Sequence, residues 1–332
     1  MINTVPVPDR TATAAVLARA AVAAGYAPSV HNTQPWRWSA QRDRLELFAV
    51  RDRQLVAADP DGRLLMLSCG TALHHALVAL LAQGWTAEVH RMPDPTRPDL
   101  LAALVPAGRT AVTPEARRHF EAVRLRHTDR RPVGDQPVPA PALAAIEAAA
   151  TGPVRLRLLS HDQVLDLAAV ASRAAAVESD DPRIRVELAY WTGRAAPDGT
   201  GLTVDVLPGQ PPQTTVPDRD FGRTGTLAVG QGHDRAASYL LLYGDDDEPM
   251  SWLRAGEALS AAWLTAVELG LSVLPLSVAV EVAGTRQSLR GLLAGLGHPF
   301  LVLRLGIADP DRTGPPHTPR LTAQATVERT VS

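Results

Sequence analysis

The sequence contains no lysine, and all 33 of its Lys or Arg positions are arginine. A Walker A phosphate loop, pyridoxal phosphate chemistry and Schiff-base catalysis each require a lysine amine, so all three are excluded. Arginine still binds phosphate well, because its planar guanidinium donates paired hydrogen bonds. An anionic ligand therefore remains possible, held by arginine, protonated histidine or backbone amides.

Cysteine is almost as scarce, since Cys69 is the only one. A disulfide within the chain and a cysteine-rich zinc site are both excluded. Cys69 lies in MLSCGTAL at the start of a hydrophobic helix, where we expect a packed thiol rather than a nucleophile. A metal-dependent or hydrolytic enzyme is a remote alternative, because the ten histidines are scattered and no HExxH or GxSxG pattern occurs.

The chain also lacks an uninterrupted apolar run of roughly 18 residues and an N-terminal basic region followed by an apolar signal core. We therefore expect a cytoplasmic protein. The net charge is −2 and no basic run stands out, so neither nucleic acid nor an anionic membrane is an expected partner. Small molecules are the expected ligands, and 332 residues suffice for two domains or one large double unit.

A 15-residue pattern is present twice. Residues 70–84 read GTALHHALVALLAQG and residues 256–270 read GEALSAAWLTAVELG, with glycine at both ends of each. In the second copy the apolar residues recur at helical spacing, which predicts a buried central helix. The repeat indicates two related halves. Chance similarity between two alanine-rich helices is the alternative.

Other predicted elements occur in both halves. Short helices are expected at 13–24 and 141–150. Strand-like runs are LELFAV, TAEVHRM, VRLRLLS, TLAVG, YLLLYG and FLVLRLGIA. Residues 180–225 start as a helix and then lose periodicity, which is typical of a lid or a disordered insertion. The tail beyond 309 is also expected to be irregular and to reach the other half.

The segment APSVHNTQPW, residues 27–36, joins a proline-bounded turn to several polar side chains. Ser29, Asn32 and Gln34 are placed to hydrogen bond a planar ligand such as a flavin ring, while Pro35 fixes the exit direction of the chain. An ordinary helix-to-strand connection has the same local chemistry and is the alternative.

A second constellation, RHTDRRPVGDQPVPAPAL, begins at Arg126. Clustered arginines beside the Thr128 hydroxyl suit a terminal phosphate, because charge-assisted hydrogen bonds are strong. A solvated basic linker between the halves is the alternative. Two weaker features follow: the turn GLSVLPLS, which by itself is a buried strand ending at proline, and Arg320 in the tail GPPHTPRLTAQ.

These motifs resemble those of the nitroreductase-like flavoproteins, whose PSxxNxQPW pattern matches residues 28–36 and whose RxSxR pattern matches 126–130 with Thr128 for Ser. The chain is identified as a member of the tandem, Acg-like FMN-binding subfamily. The resemblance implies an α+β, nitroreductase-like fold in which two degenerate repeats form an internal pseudo-dimer. We assign residues 1–120 to the first half and 121–332 to the second, with the lid at 180–225.

The resemblance implies a single FMN per chain, because each motif occurs in only one of the two halves. The resemblance implies no catalytic side chain and no metal. The residues that it implies contact FMN are Ser29, Asn32, Gln34, Arg126, His127, Thr128, Arg130, Pro275, Leu276, Ser277 and Arg320. In the family the turn at Pro275 donates a backbone amide to the flavin ring; Leu276 and Ser277 depart from the usual acidic residue and glycine.

The implied activity is a two-step hydride transfer, in which NAD(P)H is the transient donor and a nitroaromatic, quinone or other electron-poor compound is the acceptor. A flavin-sequestering or storage protein with a lidded site and little reductase activity is the alternative function. Either form is expected as a monomer, with its pseudo-dimer inside the chain, or as a homodimer.

Overall fold

The computed structural model describes residues 10–308 and 314–329. Of the tail predicted to be irregular, residues 309–313 and 330–332 lie outside the described residues. The described residues form two mainly antiparallel sheets, with helices packed between and around them.

The helices begin after recognisable start signals. Thr113 accepts a hydrogen bond from the Ala116 amide ahead of one helix, and Ser160 with Gln163 forms a capping box ahead of another. The helices are α1 (Arg10–Ala24), α2 (Arg63–Ala82), α3 (Pro114–Leu125), α4 (Ala140–Ala149), α5 (His161–Asp180), α6 (Pro182–Thr192), α7 (Pro249–Glu268), α8 (Val278–Glu281), α9 (Ala283–Leu292) and α10 (Ala323–Thr326).

The strands form one sheet in each half. The first sheet has the order β3-β4-β2-β1-β9 and the second the order β5-β6-β8-β7. The strands are β1 (Trp36–Ala40), β2 (Leu45–Ala49), β3 (Trp85–Arg91), β4 (Leu100–Arg109), β5 (Val154–Leu158), β6 (Ser238–Gly244), β7 (Leu271–Leu276), β8 (His298–Ile307) and β9 (Val327–Arg329).

The C-terminal tail crosses to the first half, as expected. Strand β9 pairs in parallel with β1, with Val327 opposite Trp38, while every other pairing in the two sheets is antiparallel. The expectation that the tail is irregular is wrong for its last part, which forms α10 and β9. Pairing with an edge strand satisfies the β9 backbone, a long-range effect that local sequence does not indicate.

The core lies around α2 and α7, the two helices of the repeated pattern. They cross in close contact at Gly70 and Gly256, because an added Cβ on Gly256 would lie 1.9 Å from the carbonyl oxygen of Leu67. By length and composition α2 could cross a membrane, but 83% of its apolar window is buried. We therefore interpret it as a core helix of the fold.

Most of the predicted elements are confirmed, and one is wrong. The helices expected at 13–24 and 141–150 match α1 and α4, and five of the six strand-like runs match β2, β3, β5, β6 and β8. The run TLAVG forms only an isolated bridge between Leu227 and Pro208. The run itself ends in Gly230 and is flanked by Gly222, Gly225 and Gly232, and these glycines favour a loop.

Candidate functional site

A cleft of about 830 Å³, including space open to solvent, lies between the two halves. Five segments form its walls: the turn after α1, helix α2, the loop after α3, the α7–β7 region and the C-terminal tail. A loop from the predicted lid completes it. The lining side chains include Ser29, His31, Asn32, Ser68, Arg126, Thr128, Arg130, Leu202, Arg219, Phe221, Trp263, Leu274, Pro275, Ser277, Leu301 and Arg320.

The turn after α1 has an unusual backbone. His31, Asn32 and Gln34 have φ values of 49°, 55° and 49°, in the left-handed region that residues other than glycine rarely adopt. The turn is held by the Ser29 hydroxyl, which accepts a hydrogen bond of 2.9 Å from the Gln34 amide. Such strain is typical of functional sites, where surrounding contacts maintain it. The rigid turn expected from the sequence is present.

The amide side chains of this turn bind the protein's own backbone. Asn32 donates to the carbonyl oxygens of Gly201 at 3.0 Å and Pro319 at 2.9 Å. Gln34 donates to Gly199 at 2.6 Å and accepts from the Leu321 amide at 3.1 Å. Both residues therefore fasten residues 199–201 and the tail to the first half. Their predicted contact with a ligand remains a prediction.

Two arginines meet at one end of the cleft. Arg126 and Arg320 both donate to the carbonyl oxygen of Tyr26, at 3.3 and 3.2 Å, and Arg320 also donates to Asn32 Oδ1. The Arg126 guanidinium lies 4.6 Å from the centre of the Trp263 ring. Arg126 is buried, and burial together with the charge of Arg320 lowers its pKa well below the usual value.

Arg130 lies farther along the cleft, beside the predicted lid. It donates to the carbonyl oxygen of Val206 at 3.2 Å, and its guanidinium is 5.2 Å from the centre of the Phe221 ring. Asp129 lies between Arg126 and Arg130 in the sequence. It does not neutralise them, because it is paired with Arg131 at 2.8 Å. That pairing holds the pKa of Asp129 below its usual range although burial opposes it.

Arg126, Arg130 and Arg320 lack acidic partners in the part of the chain that the structure describes. None has a carboxylate oxygen within 4.0 Å, and the buried Nε atoms of Arg126 and Arg130 have no hydrogen-bond partner. Burial also lowers the pKa of Arg130, and that of Arg320 to about 10. A buried cation without an acidic partner is costly, so Arg126, beside the half-buried Arg320, gives its end of the cleft donors that suit an anion.

The turn at Pro275 forms the opposite wall. Pro275 and Ser277 line the cleft, whereas Leu276 is buried in the hydrophobic core of the second half. The Ser277 hydroxyl lies near the carboxylate of Glu281 in α8 and, with Arg219, lowers the pKa of that carboxylate against the effect of burial. The turn is thus connected to a buried ionic cluster behind it.

That cluster contains buried charged residues that belong to none of the sequence motifs. Arg219, from the predicted lid, pairs with Glu178 of α5 at 2.8 Å and with Glu281 at 2.5 Å, and all three side chains are buried. His31 lies close by and is neutral, since burial and Arg219 lower its pKa to about 3. No local pattern identifies this cluster, because its members are 41 and 62 residues from Arg219.

The structure brings most of the predicted site residues together. Eight line the cleft: Ser29, Asn32, Arg126, Thr128, Arg130, Pro275, Ser277 and Arg320. Gln34, His127 and Leu276 lie outside its lining. His127 instead packs edge to face against His317 of the tail. Within residues 10–308 and 314–329, no group of three His, Cys, Asp or Glu side chains could hold a metal ion.

Comparison with known proteins shows the family. The chain is 38% identical over 309 residues to Rv3131 of Mycobacterium tuberculosis H37Rv, named as an NAD(P)H nitroreductase, covering 91% of this chain and 88% of that protein. It is 34% identical to acg of the same organism, also so named, covering 94% and 95%. The chain therefore belongs to the nitroreductase-like family that contains acg and Rv3131, as the motifs predict.

Solved structures with a similar fold include two nitroreductases. NfnB from a Sphigopyxis strain, described as FMN- and NADPH-dependent, has 18% identity and a TM-score of 0.40, covering 63% of this chain and 97% of its own. A nitroreductase with bound FMN from Bacteroides fragilis has 14% identity and a TM-score of 0.37, covering 60% and 93%. No model of a protein family matches the chain. The family assignment rests on the mycobacterial relatives.

Proposed function

We propose that this protein binds one FMN per chain in the cleft and acts as an NAD(P)H-dependent oxidoreductase of the nitroreductase type. The observation that carries the proposal is the meeting of Arg126 and Arg320 at Tyr26, without a carboxylate partner among the described residues. Two converging guanidinium groups are the donors that a phosphate prefers. The relatives named as NAD(P)H nitroreductases support the same function.

The other walls of the cleft fit the rest of FMN. Trp263, Leu274, Pro275 and Leu301 offer apolar surface to a flat ring, and Thr128 offers a hydroxyl towards the phosphate end. Polar groups at Ser29 and Ser277 face the same space from opposite halves. When bound, FMN would supply hydride exchange between NAD(P)H and an electron-poor acceptor such as a nitroaromatic or a quinone.

The roles of the protein's own residues follow from these positions. Arg126 and Arg320 would bind the phosphate, and Asn32 would keep Arg320 in place through the hydrogen bond that its Oδ1 accepts. His31 is neutral over the physiological pH range, because its pKa is about 3, so it adds no charge beside the ring. The rigid turn at 29–34 and β7 would fix the orientation of the ring.

The proposal is tested by titrating FMN into flavin-free protein. Wild type should bind one equivalent and become yellow. Arg126→Gln removes a charge-assisted contact of about 1.5–3 kcal/mol and should weaken binding by roughly tenfold to a hundredfold. Arg117→Gln, at an exposed position of α3, is the matched control and should bind as wild type does. A wild-type protein that binds no FMN would exclude the proposal.

A flavin-sequestering function is the second candidate, and one observation favours it. Leu202, Arg219 and Phe221 of the predicted lid line the cleft, and Arg219 is anchored by two buried carboxylates. Anaerobic addition of NADH or NADPH to the yellow protein distinguishes the two functions. Rapid loss of flavin colour supports the reductase. Persistent colour with NAD(P)H, followed by bleaching with dithionite, supports sequestration.

Location and assembly belong to the same proposal. A cytoplasmic protein would have access to NAD(P)H, and a complete cleft within one chain would allow a monomer to be active. Analytical ultracentrifugation of the yellow protein at several concentrations tests the second point. FMN bound at one equivalent per chain in a monomer agrees with it, whereas flavin bound only by a dimer does not.

A further inference from the structure

Residues 218–223 border both the cleft and a second cavity. Two of its side chains, Asp218 and Arg219, line only the cleft. Asp220, Gly222 and Arg223 line only the second cavity. We call this segment the wall.

The second cavity lies between α5, α6 and the wall. It encloses about 490 Å³ and is therefore of a size that accepts a small molecule. Its lining comprises Ala175, Glu178, Ser179, Ile184, Arg185, Leu188, Ala189, Thr192, Asp220, Phe221, Gly222 and Arg223.

Phe221 is the one residue that the described linings of the cleft and the second cavity share. On the cleft side its ring packs edge to face with His31, at a centroid distance of 6.5 Å, and lies 5.2 Å from the Arg130 guanidinium. It also packs with Leu188 and Leu202 in a small apolar cluster. Removal of this single side chain would join the two spaces.

Phe221 lies between an anchored arginine and a glycine. Arg219, two residues earlier, is held by its buried ion pairs. Gly222, immediately after it, has a φ of 62° and no atom within 4 Å of the position of an added Cβ. Gly222 lines the second cavity, so this cavity begins directly beside Phe221.

The chemistry of the second cavity favours an aromatic compound with an anionic group. Ile184, Leu188 and the Phe221 ring provide apolar and aromatic contact. Of the acidic lining residues, Glu178 pairs with Arg219 through Oε2, and Asp220 accepts a hydrogen bond from the Gly222 amide. Arg223 uses Nη1 to bind the carbonyl oxygen of Thr192, so its other donors are left for a ligand. Arg185 adds a second guanidinium at the exposed rim.

We propose that the second cavity is a docking site for aromatic electron acceptors that carry an anionic group, and that Phe221 determines which of them reach the cleft. The inference rests on the proposed function, since it places the electron source in the cleft. The acceptor would take two electrons and two protons in total, as a quinone does on becoming a hydroquinone, and NAD(P)H is the electron source. The wall residues position or exclude the acceptor, and they take no part in the chemistry.

The first experiment compares two acceptors on the yellow protein after anaerobic reduction by dithionite. Naphthoquinone sulfonate is bulky and anionic, and benzoquinone is small and neutral. Phe221→Ala should raise the reoxidation rate with naphthoquinone sulfonate by at least about tenfold, because it removes the side chain that both linings share and gives a bulky acceptor a direct route to the cleft. The rate with benzoquinone should change by less than about threefold by the same argument. Val186→Ala, 72% exposed on α6 and outside both linings, is the control.

The second experiment measures binding without any redox reaction. Naphthalene sulfonate, which is redox-inert, is titrated into the protein by calorimetry. Arg223→Gln should weaken binding by about tenfold through loss of a charge-assisted hydrogen bond. Arg183→Gln, which removes an 82% exposed guanidinium paired with Asp181 outside the cavity, should leave binding unchanged.

The outcomes separate the two proposals. Sulfonate binding that responds to Arg223→Gln in a protein that binds no FMN would support the second site and exclude the proposed function. FMN binding with no sulfonate binding would overturn the second site alone. Equal acceleration of both quinones by Phe221→Ala would overturn the assignment of specificity to Phe221. Melting temperatures and FMN occupancy of each variant show whether the fold is retained.

Discussion

Gly70 of α2 and Gly256 of α7 lie in direct backbone contact where the two helices cross. A Cβ on Gly256 would lie 2.8 Å from the Cα of Gly70, and a Cβ on Gly70 would lie 2.0 Å from the carbonyl oxygen of Leu253. The two glycines occupy equivalent positions in the repeated pattern. Contact between equivalent residues is the property of a two-fold interface, and it supports the interpretation of the chain as an internal pseudo-dimer.

Gly256→Ala should therefore destabilise the protein. Its methyl carbon would lie 1.9 Å from the carbonyl oxygen of Leu67 and would force the helices apart, and overpacking of this kind costs about 1–3 kcal/mol or more. Urea unfolding followed by circular dichroism measures the effect. Gly284→Ala on α9 is the matched control, because an added Cβ there meets nothing within 4 Å. Equal stability of the two variants would contradict the close crossing.

Arg126→Gln should have opposite effects on stability and on binding. Because the Arg126 charge is buried without an acidic partner among the described residues, its removal should raise the free energy of unfolding of the flavin-free protein by about 1–3 kcal/mol. The same variant should bind FMN more weakly. Thermal unfolding with and without FMN checks both, and a variant less stable than wild type without FMN would show that Arg126 has a structural role.

Asn32→Ala should loosen the tail and residues 199–201 together. It removes hydrogen bonds to Gly201 and Pro319 and leaves two carbonyl oxygens unpaired, at a cost of about 1–3 kcal/mol for each buried group. Hydrogen exchange should increase in the amides around 199–201 and 319–321. Gln41→Ala, which removes a part-buried contact to Glu46, serves as the control. Unchanged exchange at both segments would disprove the role of Asn32 as a fastener.

Arg219→Met should release the wall. The substitution leaves Glu178 and Glu281 buried without their cation, and breaking such a pair costs about 3–5 kcal/mol. Trypsin should then cleave after Arg223 faster than in wild type, which mass spectrometry of the fragments measures. Arg183→Gln breaks only an exposed pair and should leave the stability close to that of wild type. A wall that stays resistant to trypsin in Arg219→Met would refute this anchor.

Stability should depend on pH through Glu178. Burial, opposed by Arg219 and reinforced by Glu281, raises the pKa of Glu178 to about 8. The pKa of Glu178 in the folded state exceeds its pKa of about 4.3 in the unfolded state. The stabilisation from Glu178 is therefore complete below about pH 4.3 and is lost as the pH rises towards about 8. Arg219 stays charged, His31 stays neutral with a pKa of about 3, and Glu281, whose pKa is lowered, stays ionised in this window.

The comparison with Glu178→Gln measures this dependence. The difference in unfolding free energy, wild type minus variant, should fall between about pH 5 and about pH 8 and then become constant, because glutamine does not ionise. Glu115→Gln, at an exposed position in the first turn of α3, should show no such trend. A flat difference for Glu178→Gln would show that Glu178 is ionised throughout.

Local sequence was sufficient where one segment carries all the relevant residues. The repeated glycines predicted two equivalent helices, and Gly70 and Gly256 indeed meet at their crossing. The motif at 126–130 predicted an anion site, and Arg126 lies in the cleft without an acidic partner among the described residues. The absence of lysine excluded whole classes of chemistry, because that exclusion depends on residue type alone.

Only the tertiary structure decided what the same residues contact. Asn32 binds Pro319, 287 residues away, and Arg219 joins α5 to α8, so neither contact is encoded in a local pattern. The sequence likewise could not show that Phe221 separates two cavities or that β9 pairs with β1. Residue types and spacing determined the family, the two helices and the arginine-rich end of the cleft. Long-range packing decided which polar groups are engaged and which are left for a ligand, because that depends on neighbours supplied by distant parts of the chain.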